Sequence, residues 1–203
     1  MKISPVLEKR RSIRSFQKRR VPRWMIRSIV AAGCTAPSAH DLRPWRVVAL
    51  DDRSRKSELA TVSAKAYFES LISRGIENAR DKSEKAKSRI LSAPVILVVC
   101  LDRSVLRAEK STRRKRNEWI MGTQSVAAMV ENMLLQASEL GLGACWRGSA
   151  LFISKWLKRL LFLPNSFEPQ AIVEIGYPST IPREKKLERL EEKLRFNVWG
   201  EAS

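Results

Sequence analysis

The run Pro94-Val95-Ile96-Leu97-Val98-Val99-Cys100-Leu101 constrains the fold more than any other stretch of the chain. Successive side chains of a strand point to opposite faces, so a short segment that is apolar at every position is a strand covered on both sides. It belongs at the centre of a sheet. The second constraint is Trp119 to Leu140, where Val126, Met129, Val130, Met133, Leu134 and Ala137 recur at helical spacing. That pattern makes one apolar stripe on a long helix, the spine of the core. Gly141 closes it as a glycine cap.

The remaining elements fill in around these two. Ser4-Pro5 reads as an N-cap with proline at the first helical position, opening a short helix that turns Val6 and Leu7 inward and ends near Arg11. Pro22 opens a second helix, with Trp24, Ile26, Ile29, Val30 and Gly33 near a helical period. Trp45 reads as core, ahead of the strand Arg46-Val47-Val48-Ala49-Leu50. Asp51 to Ala60 reads as a short surface helix and Ala64 to Leu91 as a longer amphipathic one, with Tyr67, Phe68, Leu71 and Ile72 on one side. Asp102 to Arg116 is polar and basic, Leu151 to Leu163 helical, and Ala171 to Pro178 a strand ending in a turn.

A chain of 203 residues with 44% apolar residues suits one domain with a sizeable core, and no repeat or Gly/Ser linker divides it. The formal charge of +18 attracts phosphate, carboxylate-rich ligands, nucleic acid and acidic surfaces. The basic residues gather between Lys9 and Arg27 and between Arg103 and Arg116, without the motifs of a nucleic-acid module. Cys34, Cys100 and Cys145 are far apart among small or apolar neighbours, with no metal spacing, and read as buried thiols of a reducing cytosol. Charges at Lys2, Glu8, Lys9, Arg10 and Arg11 argue against a secretory leader, and no apolar run approaches the roughly 20 residues of a membrane span. A cytoplasmic protein without a membrane partner is the expectation.

Two segments carry chemistry. Arg10, Ser12 and Arg14 alternate, so in an extended chain they point the same way and offer donors to one anion; guanidinium forks suit phosphate. By spacing alone, a solvated basic turn is the alternative. The stretch Ala36 to Trp45 holds the only histidine, two prolines and several polar residues, as ligand-holding loops do. Other chemistries find little support. One histidine excludes most zinc sites, and Ser38, His40 and Asp41 lie too close in sequence for a Ser-His-Asp relay. There is no G-x-G-x-x-G and no P-loop. No catalytic side chain and no metal ligand is assigned.

Arg10-Arg11-Ser12-Ile13-Arg14-Ser15-Phe16 followed by Pro37-Ser38-Ala39-His40-Asp41-Leu42-Arg43-Pro44-Trp45 resembles the paired signatures of the FMN-dependent nitroreductase family, R-x-S-x-R-x-F and P-S-x-x-N-x-Q-P-W. Gly141-Leu142-Gly143-Ala144-Cys145-Trp146 and Gly176-Tyr177-Pro178 resemble its later segments in the same order. The resemblance implies an α+β fold, a mixed central sheet flanked by helices, in an intertwined homodimer whose tail, about 179–203, packs on the partner subunit. It implies FMN as cofactor and NADH or NADPH as electron donor, with a nitro compound, a quinone or a flavin- or deazaflavin-like molecule as acceptor. FMN contacts are implied for Arg10, Arg11, Ser12 and Arg14, and for Pro37, Ser38, Ala39, His40, Asp41 and Arg43. They are implied as well for Cys145, Trp146, Arg147 and Gly148, and for Lys186 and Arg189 of the tail. Arg10 and Ser12 match positions at the phosphate, and Arg14 one at the pyrimidine edge. Asp41 stands where Asn is usual and Arg43 where Gln is usual; Asp only accepts and Arg only donates. Asp41 beside a reduced flavin raises the cost of its negative charge, unless Arg43 or Arg14 pairs with it. The alternative to the enzyme is a non-enzymatic binder of anions or nucleic acid that uses the basic surface.

Overall fold

The computed structural model describes residues 4–180 and 189–199. Its sheet has four strands: β1 (Trp45–Leu50), β2 (Val95–Asp102), β3 (Gly143–Arg147) and β4 (Phe167–Gly176), in the order β1-β2-β4-β3. The apolar run forms β2, an interior strand buried at all eight positions. Every strand pair is antiparallel, and the one parallel contact is a bridge between Ser12 and Ala144. Among the described residues, then, the parallel part of the implied mixed sheet is reduced to that bridge.

The described residues form six α-helices: α1 (Pro5–Lys9), α2 (Arg23–Cys34), α3 (Arg53–Ser73), α4 (Ala79–Ser92), α5 (Thr112–Glu139) and α6 (Ser154–Leu160). The two-residue period of the strands sorts the core. Leu97, Val99, Val173 and Ile175 pack with Ile26 and Ile29 of α2 and Met129 and Met133 of α5. Ile96, Val98 and Ile172 face the other way, against Leu59 of α3, Ile90 of α4 and Leu157 of α6. Each such side chain, fully buried, contributes about 1.5–3 kcal/mol. At 28 residues, α5 is about 42 Å long and spans the layer.

Several element boundaries and burials differ from the sequence reading. The single-turn helix α1 ends at Lys9 and buries nothing; Leu7 is exposed and Val6 half-buried. Trp24 is 62% exposed, because it lies two residues from Ile26, off the buried stripe of Met25, Ile26, Ile29 and Gly33. The 51–91 region does not break near residue 60. One helix runs to Ser73, and the chain turns at Gly75, whose φ of +64° suits glycine. Of the apolar residues on that helix, Leu71 is buried while Tyr67, Phe68 and Ile72 are exposed. The spine begins seven residues before Trp119, and its first turns are polar and exposed. The helix read over Leu151 to Leu163 is shorter, and β4 begins at Phe167. Cys100 and Cys145 are buried, but Cys34, the last residue of α2, is exposed.

Candidate functional site

The Arg10–Arg14 segment runs beside β3. Ile13 N–H donates to Ala144 C=O at 2.9 Å, next to the parallel bridge of Ser12 and Ala144. Ile13 is buried and its neighbours Ser12 and Arg14 are exposed, so the alternation read in the sequence is present. Two glycines make the approach possible. Gly141, at φ +71°, turns the chain out of α5, and a Cβ on Gly143 would sit 2.6 Å from Ile13 Cβ. Gly141 thus ends α5 as a glycine cap, and Gly143 is the position where two backbones pass closely.

The guanidinium of Arg10 lies 3.2 Å from Glu131 Oε1 on α5, an ion pair without hydrogen-bond alignment at Nε. Arg11 donates to the carbonyls of Glu8 and Arg10, and its Nε is buried with no protein partner. Arg14 donates to Ser12 C=O at 3.4 Å and lies close enough to Cys145 and Glu174 to act on both electrostatically.

Residues 145–148 continue from that contact. Cys145 is buried; burial and the nearby Glu174 push its thiol up, against the pull of Arg14 and Arg147. Trp146 is 40% exposed on the opposite side of β3. Gly148 is exposed, and a Cβ there would meet nothing within 4 Å, so the backbone faces open space. Arg147 Nε donates to Glu174 Oε1 at 2.5 Å. Glu174, on β4, is fully buried, and burial pushes its carboxyl up while Arg147 opposes the shift. Glu174 was missed in the sequence. Its signal was a lone carboxylate inside Ala171-Ile172-Val173-Glu174-Ile175, since a carboxylate is almost never fully buried unless paired.

The loop from Pro37 to Arg43 lies elsewhere. Its partners are on α5, within itself and on β1, where Arg46 donates to Arg43 C=O at 3.3 Å. Ala39 N–H donates to Ser125 Oγ at 3.1 Å, and His40 Nε2 is 3.5 Å from Glu118 Oε1. Arg43 grips Asp41 with both arms of its guanidinium, at 2.9 and 2.8 Å, and its N–H donates to Ser38 Oγ at 3.1 Å. The Asp41 carboxyl is held below the usual range by that hydrogen bond. His40, Asp41 and Arg43 have φ of +55°, +53° and +46°, three left-handed non-glycine residues within four positions. Such strain concentrates at ligand clamps. Pro37 is exposed and Ser38 and Ala39 half-buried. Thus, of the four implied segments, one chain joins Arg10–Arg14 to the strand of Cys145–Arg147, while the Pro37–Arg43 loop is tied to α5 instead.

The profile described as "Nitroreductase family" matches residues 7–177. The chain belongs to the nitroreductase family. A provisionally named NADH dehydrogenase/NAD(P)H nitroreductase of Methanothermobacter thermautotrophicus is 27% identical over 189 residues, covering 92% of this chain and 83% of that protein. A provisionally named nitroreductase of Desulfovibrio desulfuricans, solved in complex with FMN, is 25% identical with a TM-score of 0.73, over 98% of this chain and all of that one. The NADPH:FMN oxidoreductase of Vibrio harveyi, solved with NAD+, has the same fold at 21% identity, with a TM-score of 0.75 over 98% of this chain and 78% of that one. Membership classes the chain with the NAD(P)H-dependent flavin oxidoreductases and decides against a non-enzymatic binder.

For a nitroreductase-family chain, the fit to FMN can be judged on the residues themselves. A phosphate needs donors that the protein has not already used, and Arg11 Nε is buried with no partner while Ser12 is exposed beside it. A flat ring needs backbone free of side chains, and Gly148 supplies it. The residues therefore fit the group. Lys186 lies outside the described residues, and Arg189 is exposed where the described part of the tail begins. No helix among the described residues is long and apolar enough to cross a membrane.

Proposed function

We propose that this chain is an FMN-dependent oxidoreductase of nitroreductase type that takes hydride from NADH or NADPH and passes it to a nitro compound, a quinone or a flavin- or deazaflavin-like acceptor. The observation that carries the reading is the bridge of Ser12 to Ala144, which sets the donors of Arg10–Arg14 against the start of β3, the strand that leads to the open backbone at Gly148. FMN, when bound, supplies the hydride chemistry. The chain's own tasks are to bind, orient and balance charge. Arg10, Arg11 and Ser12 hold the phosphate, and Arg14 stabilises negative charge at the pyrimidine edge, an effect of about 2–4 kcal/mol for a well-placed donor. Cys145, Trp146, Arg147 and Gly148 form the edge along which the ring lies.

The assembly in this reading is a homodimer. The strained loop of Pro37, Ser38, Ala39, His40, Asp41 and Arg43 completes the partner's site, since its own contacts are with α5 and β1. The tail supports the same reading: Phe196 and Trp199 are 83% and 69% exposed, and a second subunit covers them. Lys186 and Arg189 reach the phosphate from that tail. One domain, cytoplasmic, completes the proposal.

The test is the visible spectrum of the purified protein followed by anaerobic NADPH. Flavin bands that bleach are the expected result. Arg10→Ala and Arg14→Ala lose FMN while keeping the circular dichroism of the parent; full occupancy in both removes this site assignment.

A further inference from the structure

One face of α4 breaks a local rule of helix electrostatics. Lys82, Lys85 and Arg89 follow one another at three and four residues, so three like charges stack on a single face. Neighbouring like charges on a helix repel, and none of the three forms a salt bridge among the described residues. The three are left without a close ion pair, although Asp81 stands four residues before Lys85 and Arg89 acts at longer range on the buried Glu174.

That face is one wall of a pocket of about 250 Å³. It is lined as well by Arg147 and Ser149, on either side of Gly148, and by Ser63 and Tyr67 of α3. Four cations thus line the cavity with hydroxyls from Tyr67 and Ser149, and no carboxylate lines it. Glu174, buried beneath, is hydrogen-bonded to Arg147 and also lies within electrostatic reach of Arg14 and Arg89, while Arg147 Nη2 is left without a partner. A cleft walled by one sign of charge focuses its field on an incoming counter-ion.

We infer that this pocket seats the anionic group, a carboxylate or phosphate, of the molecule that exchanges electrons with the flavin. The inference rests on the oxidoreductase reading, because Gly148 is what brings the pocket next to the ring. It narrows that reading to redox partners that carry negative charge, with Lys82, Lys85 and Arg89 as the residues that select them. Two sources offer this chemistry: the acceptor, or the extra phosphate that distinguishes NADPH from NADH.

The test uses the full chain with FMN and the double variant Lys82→Ala/Lys85→Ala. Nitrobenzene and 4-nitrobenzoate are compared as acceptors and NADH and NADPH as donors, and the binding of 4-nitrobenzoate is measured by calorimetry without turnover. Losing hydrogen bonds to a charged group weakens binding by about tenfold or more. The expected result is a KM and Kd for 4-nitrobenzoate raised by about that factor, with nitrobenzene unchanged within about twofold and FMN per chain unchanged. A loss confined to NADPH instead supports the pocket and assigns it to the donor. Equal losses for charged and neutral partners overturn the inference, as does loss of FMN from the variant, which would make the pocket part of the flavin's own seat. A parent protein that takes up no FMN sinks the oxidoreductase reading separately, while the calorimetric comparison still decides the pocket.

Discussion

Arg147 Nε donates to Glu174 Oε1 at 2.5 Å across the β3–β4 pair, with the carboxylate fully buried. Glu174 Oε2 and Arg147 Nη2 are both buried without partners. A buried pair adds little net stability, but breaking one strands a charge in the core. Arg147→Ala should lower the unfolding free energy by about 3–5 kcal/mol. Arg147→Ala/Glu174→Leu should recover most of that loss. Urea denaturation of the three proteins checks this, and a single variant as stable as its parent sinks the account.

The same pair sets a pH dependence. Burial raises the folded-state pKa of Glu174 above its unfolded value, and Arg147 opposes the shift. A carboxyl shifted upward costs nothing at a pH where both states hold the proton. The cost grows as pH rises from the unfolded value and is complete above the folded one. Removing Arg147 removes the largest part of the opposition, leaving only Arg14 and Arg89, and enlarges the cost. The melting temperature of Arg147→Ala, relative to its parent, should therefore rise as pH is lowered from 7 towards 5. A constant gap across that range would show that Glu174 keeps its ordinary titration.

Thiol chemistry separates the three cysteines. Cys34 is exposed at the end of α2, burial pushes Cys100 up to about 12, and Cys145 is raised by burial and by Glu174. Only the thiolate reacts quickly. One thiol should react with Ellman's reagent in native protein at pH 8, and the other two only on unfolding. Cys34→Ser should abolish the fast phase; a fast phase that survives contradicts the burial of the other two.

The fold was legible where a pattern was continuous. The unbroken apolar run of β2 and the spaced stripe of α5 each allow one interpretation. The 51–91 region was not legible, because α3 buries only Leu59, Ala60, Ser63, Ala64 and Leu71, too sparse a stripe to locate its end. Gly75 marks the break better than any apolar residue does. In the candidate site, Arg10, Ser12 and Arg14 were visible as an alternation, whereas Glu174 acts through a partner 27 residues away that sequence spacing does not reveal. The cations of α4 were visible individually but lay in a helix whose boundaries were misread.

The Asp41–Arg43 fork answers the question raised by those two departures from the family pattern. Arg43 satisfies both oxygens of Asp41, so in the proposed site the carboxylate would meet the flavin already paired. Arg43→Gln should leave Asp41 unpaired and lower the flavin reduction potential. Asp41→Asn/Arg43→Gln should restore it. A redox titration against indicator dyes reads the shift. Equal potentials in all three proteins would mean that the loop stands away from the ring.

Gly143 and Gly141 separate packing from conformation. A Cβ on Gly143 would press within 2.6–2.7 Å of three atoms of Ile13, in the segment that carries Ser12 and Arg14. The neighbour is a branched residue held by its backbone hydrogen bond to Ala144, so it cannot swing aside. Gly143→Ala should therefore push the segment off β3, costing about 1–3 kcal/mol as overpacking does, and should reduce FMN occupancy with it. Gly141 has open space around it but a φ of +71°. Gly141→Ala should cost about 1–2 kcal/mol through backbone strain alone, at full FMN occupancy. Flavin content per chain, measured beside the melting temperature, distinguishes the two. If both variants lose flavin in proportion to stability, the close approach of Ile13 to β3 has no role in binding beyond holding the fold.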